Sequence, residues 1–298
     1  MRTIEAFGQE MGSVSCHKKY TWISGYIILL RKIRMNFYWV YDLPNGLFGL
    51  LTITFFVGFA VIGLIVHRRF VLRIYGRHPH NDLVSYYLAA VGVFYGITLG
   101  LISVGTYTTF TEIESTVSKE ANTLGAIYVD VGSYPEPVRT QMRQQLSEFT
   151  HITIEHIWPI QRKGEIDDRG LHMLRQFNET LNHFEPSSMR EGIIHAEVLR
   201  QFNQLLELHD ERLQSVGNGM PITMYVVIVV GALLNIMVSW LFIVDNLRLH
   251  NSLNVLTAAL LGLLVFLIAA MDHPFRGEYS IGPDAFEFVR DKVINSSS

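Results

Sequence analysis

Four long apolar runs without a charged side chain dominate the pattern of the sequence. Each exceeds the roughly 20 residues that a helix needs to cross a bilayer, and each is bounded by charged residues or proline. Because buried helices of soluble proteins rarely run this far without a charge, the pattern predicts an all-α membrane protein with four transmembrane helices. The runs are Leu43–Val66, Leu83–Thr111, Pro221–Val244 and Leu249–Met271.

The second run continues as an amphipathic pattern beyond its apolar part. Apolar residues recur at spacings of three and four from Phe110 to Tyr128, which predicts one long helix that leaves the membrane. Glu112, Glu114, Lys119 and Glu120 are expected on its solvent-exposed faces.

Residues 112–220 are predicted to form an acidic, helical extramembrane domain inserted between the second and third spans. This region has 17 acidic and 10 basic residues, which favours a solvated surface. Ser187 or Ser188 is expected to cap its last helix, which carries a coiled-coil-like seam with heptad spacing. The seam comprises His195, Leu199, Phe202, Leu206, His209, Leu213 and Val216.

The pattern divides the rest of the chain into four parts. Residues 35–111 hold the first two spans, residues 221–272 the last two, and residues 273–298 a C-terminal tail. Residues 1–34 are interpreted as a disordered or non-native extension, since Tyr20–Leu30 is too short to span a bilayer and Met35 offers an alternative start.

The segment His67–His80 indicates an orientation in the membrane. It carries four arginines and no acidic residue, and a short basic loop is typical of the cytoplasmic side. This places the predicted helical domain, residues 112–220, on the opposite side.

Two faces of the second span suggest roles. Gly92, Gly96 and Gly100 follow one another at four-residue spacing and are predicted to pack closely against other helices, as is Asn235 in the third span. The opposite face is a candidate pore lining, although both faces could simply pack within a helical bundle. This opposite face carries Tyr87, Phe94, Thr98, Leu101 and Gly105.

The sequence lacks the motifs of catalysis. It has no phosphate-binding loop, no nucleophile elbow and no paired cysteines, and the histidine spacings do not favour a metal site, so no enzyme activity, cofactor or metal is predicted. A net charge of −3 does not suggest a nucleic-acid partner. No Asp, Glu, Lys or Arg lies within a span, which disfavours a proton-coupled transporter and favours a passive channel or a structural or sensory membrane protein.

Five motifs in the chain are shared with one known family: Glu120-Ala121, Tyr134-Pro135, Trp158-Pro159, Arg212-Leu213 and Asp272-His-Pro-Phe-Arg-Gly277. Through them the sequence resembles the bestrophin-like family of membrane proteins, which is distantly similar to bestrophin anion channels. The resemblance implies four spans, a pentameric homo-oligomer, and an inserted domain on the cytosolic side, in conflict with the arginine-rich segment. It also implies a second helix that lines a pore for chloride or another small anion, and a location in the cell membrane, such as the bacterial inner membrane. The alternative is a non-conducting membrane protein whose helical domain binds a partner or senses the state of the envelope.

Overall fold

The computed structural model describes residues 38–75, 81–217 and 219–297, and within these ranges the chain is helical, with no β-strand. The all-α prediction is therefore confirmed. The predicted extension 1–34 lies outside the described residues. A short 3₁₀ helix, Tyr38–Asp42, precedes the first long helix.

Among the described residues, four helices are long and apolar enough to cross a membrane, as the sequence predicts. They are α1 (Asn45–Tyr75), α2 (Asn81–Val131), α6 (Ile222–Ser239) and α7 (Leu247–Met271). Helix α2 runs for 51 residues, so the second span and its extension form one helix, as predicted. The third span ends at Ser239, five residues before the predicted end at Val244, because the chain turns at Trp240 and Leu241.

Further helices connect α2 to α6. Helix α3 (Val138–Ile152) continues through a π-helical turn (Thr153–Ile157) to a last turn, Trp158–Gln161. Helices α4 (Arg169–His183) and α5 (Met189–Val216) follow. Ser188 caps α5, since its Oγ accepts a hydrogen bond from the backbone N–H of Glu191 at 3.2 Å.

Helix α5 packs antiparallel along the C-terminal half of α2. Thr116 contacts Glu211, whereas Asp130, further along α2, accepts a hydrogen bond from Gln201 at 2.9 Å. The buried side of α5 includes three residues of the predicted seam, Phe202, His209 and Val216. It is wider than the seam, because Val198, Leu205 and Arg212 are also buried.

The described helices enclose two hydrophobic cores. One lies among α1, α2, α6 and α7, and the other joins the C-terminal half of α2 to α3, α4, α5 and the C-terminal segment. That segment contains α8 (Asp284–Val289), a π-helical turn (Arg290–Ile294) and a 3₁₀ turn (Asn295–Ser297).

The basic segment differs from the predicted loop. Helix α1 extends to Tyr75, so Arg68, Arg69 and Arg73 lie on its last turns and not in a connection. The helix continues past the apolar residues because the arginine side chains can reach toward headgroups and water while the backbone stays hydrogen-bonded. Residues 76–80 are outside the described ranges.

Candidate pore face and the buried network below it

The membrane-spanning part of α2 is the least covered of the four spans within the protomer. Only 6% of its most apolar window is buried, against 22% in α1, 28% in α6 and 33% in α7. Most of its surface is thus available to lipid or to a second copy of the chain.

One narrow face attaches α2 to the rest of its own protomer. Leu99 is buried in the membrane core, and the hydroxyl of Tyr95 donates a 2.7 Å hydrogen bond to the carbonyl of Ile228. The Tyr95 ring lies directly against Gly231, where the Cβ of any other residue would clash with Cε2 of the ring. This face fixes the rotation of α2 about its axis and so decides which residues point outward.

All five candidate pore residues lie on the outward side. Phe94 is 73% exposed, Leu101 71% and Tyr87 65%, and Thr98 and Gly105 are exposed as well. The Thr98 hydroxyl donates to the Phe94 carbonyl of the preceding turn at 2.9 Å, so its proton is engaged while its oxygen can still accept a hydrogen bond. The structure thus brings these residues to one exposed side of α2, where Leu101 and Gly105 also border a cavity next to the start of α6.

In the glycine row, only the first residue, Gly92, lies close to another helix of the same protomer. An added Cβ at Gly92 would lie 3.8 Å from Asn235 Oδ1, whereas at Gly96 and Gly100 it would meet no atom within 4 Å. Asn235 is buried, but its amide nitrogen donates to the Gly231 carbonyl of its own helix at 2.9 Å. The Asn235 amide thus forms a hydrogen bond within α6, because the carbonyl four residues back is within reach of the side chain.

A buried charged network lies on the C-terminal half of α2, beyond the part that carries the candidate pore face. The Glu120 carboxylate accepts hydrogen bonds from Arg212 Nε at 2.5 Å and Arg212 Nη2 at 3.1 Å, and it contacts His209 Nδ1 at 2.9 Å. Arg212 Nη1 also donates to Gln161 Oε1 at 2.6 Å. All four side chains are at most 1% exposed.

The network keeps Glu120 ionised despite complete burial. Burial by itself raises the pKa of the Glu120 carboxyl, but the charge of Arg212 and hydrogen bonds from His209 and Arg212 together lower that pKa below its ordinary value. The Arg212 guanidinium also stacks over Trp158 at 5.2 Å and Phe286 at 5.7 Å. One ion pair therefore connects α2, α5, the end of α3 and α8.

The prediction that Glu120 is exposed is wrong, and the sequence contained the signal. Glu120 lies three residues after Val117 and four before Leu124, so it belongs to the same helical face as the buried apolar stripe. Its charge type, and not its spacing, suggested exposure. Arg212 likewise follows His209 at a spacing of three on the buried side of α5.

Asp272, at the C-terminal end of α7, anchors the start of α6. Its carboxylate accepts hydrogen bonds from the Met220 backbone N–H at 2.6 Å and from the Tyr225 hydroxyl at 2.8 Å. The Phe275 ring, in the same motif, packs 5.9 Å from the Trp158 ring of the lower core. Asp272 also borders a cavity of about 450 Å³ that Leu101 and Gly105 line on α2.

Among the described residues, no group of three or more His, Cys, Asp or Glu side chains is placed to hold a metal ion. His78 and His80 lie outside those residues, whereas His209 forms part of the ion-pair network.

Four apolar spanning helices, with a helical unit built on the second of them, define an all-α integral membrane protein. The family model described as Bestrophin-like domain matches residues 54–286, which is more than three-quarters of the chain. This chain therefore belongs to the Bestrophin-like family.

Solved structures support the same fold. The crystal structure of a bacterial bestrophin homologue from Klebsiella pneumoniae, phased on zinc, superposes with a TM-score of 0.62 at 11% identity and covers 83% of this chain and 97% of its own. Two single-substitution variants of that homologue give TM-scores of 0.64 and 0.63, at 10% and 12% identity; they cover 84% and 83% of this chain and 99% and 97% of their own. A comparison with curated proteins gives no match.

Proposed function

We propose that this chain is the subunit of an oligomeric anion channel whose pore is lined by α2. The observation that carries the proposal is the exposure of α2, of which only 6% is buried in its most apolar window. A helix that lies between a pore and neighbouring subunits needs little cover from its own chain. The resemblance of the sequence to bestrophins, which are anion channels, favours the same arrangement.

The proposed pore face is mostly apolar and contains two hydroxyl groups, those of Tyr87 and Thr98. Tyr87, Phe94 and Leu101 would form hydrophobic constrictions, which can gate a pore by dewetting. Thr98 and Gly105 would leave wider, more polar levels between them. Chloride or another small anion is the expected permeant ion, and five copies of the chain, by resemblance, would surround the axis.

The proposal includes the surroundings of the oligomer. The helical unit of residues 112–220 would lie outside the hydrocarbon region, because it carries 17 acidic and 10 basic residues. The oligomer would lie in the cell membrane. We expect this to be the inner membrane of a bacterium, since the solved homologue is bacterial.

Halide flux through vesicles that hold the purified protein tests the proposal. Phe94→Ala should raise the flux, since it removes the largest apolar side chain from the proposed constriction. Phe55→Ala is the matched control, because Phe55 is 58% exposed on α1, outside the proposed pore. Flux that is absent from folded wild-type protein and both variants would overturn the proposal in favour of a non-conducting protein whose helical domain binds a partner.

A further inference from the structure

At the end of the spans opposite the helical unit, two buried hydrogen-bond donors have no acceptor among the described residues. These donors are Arg68 Nη1 and Trp240 Nε1, and neither finds a partner among the residues that the structure describes. Trp240 is only 7% exposed, so water has little access to it. A buried donor without an acceptor costs about 1–3 kcal/mol, so two at one place indicate a ligand that accepts hydrogen bonds.

Both side chains line one small cavity of about 20 Å³, together with His250 and Leu64. This volume holds roughly one oxygen-sized atom. The turn after α6 forms another wall of the cavity. There the Asn81 side chain accepts a hydrogen bond from the Ile243 N–H at 2.9 Å and donates one to the Ile243 carbonyl at 2.8 Å. His250 Nε2 donates a hydrogen bond to the Ser239 carbonyl at 3.0 Å, so this N–H is already used.

The indole is held rigidly in this position. Gly63 allows the Trp240 ring to lie directly on α1, since a Cβ at this position would overlap with Cζ2 of the ring. The rings of Phe59 and His67 contact the indole with centroid distances of 5.1 and 5.7 Å. The orientation of the Trp240 N–H thus follows from packing and not from a free surface rotamer.

The location favours an anion at the membrane surface. Arg68 lies two residues before the end of the apolar span Asn45–Phe70, where hydrocarbon meets headgroups. Arginine and tryptophan at this level commonly contact lipid headgroups, and basic pockets between spanning helices bind anionic ones. Two donors, one of them fully charged, select a negatively charged acceptor over a neutral one.

We infer that Arg68 and Trp240 form a binding site for one phosphate oxygen, supplied by the headgroup of an anionic phospholipid or by free inorganic phosphate. The site is separate from the proposed pore face on α2 and does not depend on conduction. A guanidinium N–H and the indole N–H would share the same oxygen, and the rest of the phosphate would extend toward the aqueous side.

The test compares thermal unfolding midpoints of the full-length protein in phosphatidylcholine vesicles under two additions. One arm adds phosphatidylglycerol and the other adds inorganic phosphate at constant ionic strength. We expect at least one addition to raise the midpoint of the wild type and of Arg69→Gln, and the arm that succeeds identifies the source of the phosphate. Arg69→Gln is the matched control because Arg69 is exposed one residue away and loses the same charge.

Arg68→Gln should lose this rise, and Trp240→Phe, which keeps a ring but removes the N–H, should show a smaller one. If a variant gives little folded protein, native mass spectrometry of the folded fraction measures instead how many phosphatidylglycerol molecules it retains. The inference is overturned if neither addition raises the wild-type midpoint, or if Arg68→Gln retains the full rise. The first result would mean that neither source of phosphate stabilises the fold, and the second that the rise arises at another site.

Discussion

The two halves of helix α2 have opposite surroundings. Of the residues from Asn81 to Thr111, only Val84, Leu99 and Phe110 are buried, although this half carries almost no charge. In the C-terminal half the buried residues lie close together, and they include the charged Glu120. The apolar half is exposed and a charge is buried, which reverses the rule for a soluble protein.

The reversal shows what each half must contact. Apolar side chains exposed on a spanning helix face lipid or another subunit, and they need no cover from their own chain. The C-terminal half must build its own core, and it contains a carboxylate that burial tolerates only because Arg212 and His209 contact it. The C-terminal half of α2 thus helps to build the core of the helical unit, whereas the proposed conduction belongs to the membrane half.

The largest expected effect comes from breaking the buried ion pair. Arg212→Met should lower the free energy of unfolding by about 3–5 kcal/mol, because it leaves the Glu120 carboxylate buried without its charge partner. Chemical denaturation in mild detergent measures the change. Arg139→Met is the control, since Arg139 pairs with Glu136 at an exposed surface, where such pairs contribute little. Equal destabilisation by both substitutions would contradict the assigned importance of the buried network.

An intermediate effect is expected from the glycine row of the membrane half. Gly96→Leu should leave the protomer folded, since no atom lies within 4 Å of its added Cβ. It should nevertheless shift the oligomer toward monomers if this row packs against a second copy, because small residues allow close helix approach in lipid. Light scattering in detergent measures the subunit number. Gly58→Leu, on α1, is the control with an equally open position, and an unchanged oligomer in both variants would argue against the packing role.

A smaller effect concerns the pH dependence of stability. The pKa of Glu120 is lowered from 4.5 in the folded protein, so folding is favoured when this carboxyl is ionised. The contribution is complete above the unfolded pKa and is lost as the pH falls through the folded pKa. The stability advantage of the wild type over Glu120→Gln should therefore be constant near neutral pH and shrink below about pH 4.5. Melting curves across this range check it, and an advantage that grows in acid would contradict the assignment.

The sequence predicts the helical framework well because its signals are local. Charge-free length identified all four spans, and the continuous spacing from Phe110 to Tyr128 predicted that the second span and its extension are one helix. Ser188 was also among the predicted caps, since a capping hydroxyl acts on a backbone N–H only three residues away.

The buried polar contacts were harder to predict because they join distant parts of the chain. Glu120 is 92 residues from Arg212, and Asn254 donates to the Ala60 carbonyl 194 residues away. Periodicity identifies a buried face, but it cannot identify which charge on another helix compensates a charge on that face. The end of α1 was misjudged for a related reason, since arginines are compatible with both a loop and the last turn of a spanning helix.

The most direct test of the central proposal asks whether the outward face of α2 contacts a conducting pathway. A cysteine replaces Thr98 in a Cys16→Ser background, which removes the only native cysteine, and halide flux through vesicles is measured before and after a charged, water-soluble thiol reagent. The control is Thr257→Cys, because Thr257 is likewise exposed and likewise donates to the carbonyl four residues back, but lies on α7. The proposal predicts that the reagent removes most of the flux of Thr98→Cys and leaves that of Thr257→Cys unchanged. Flux that persists in Thr98→Cys after complete modification would contradict a pore lined by α2.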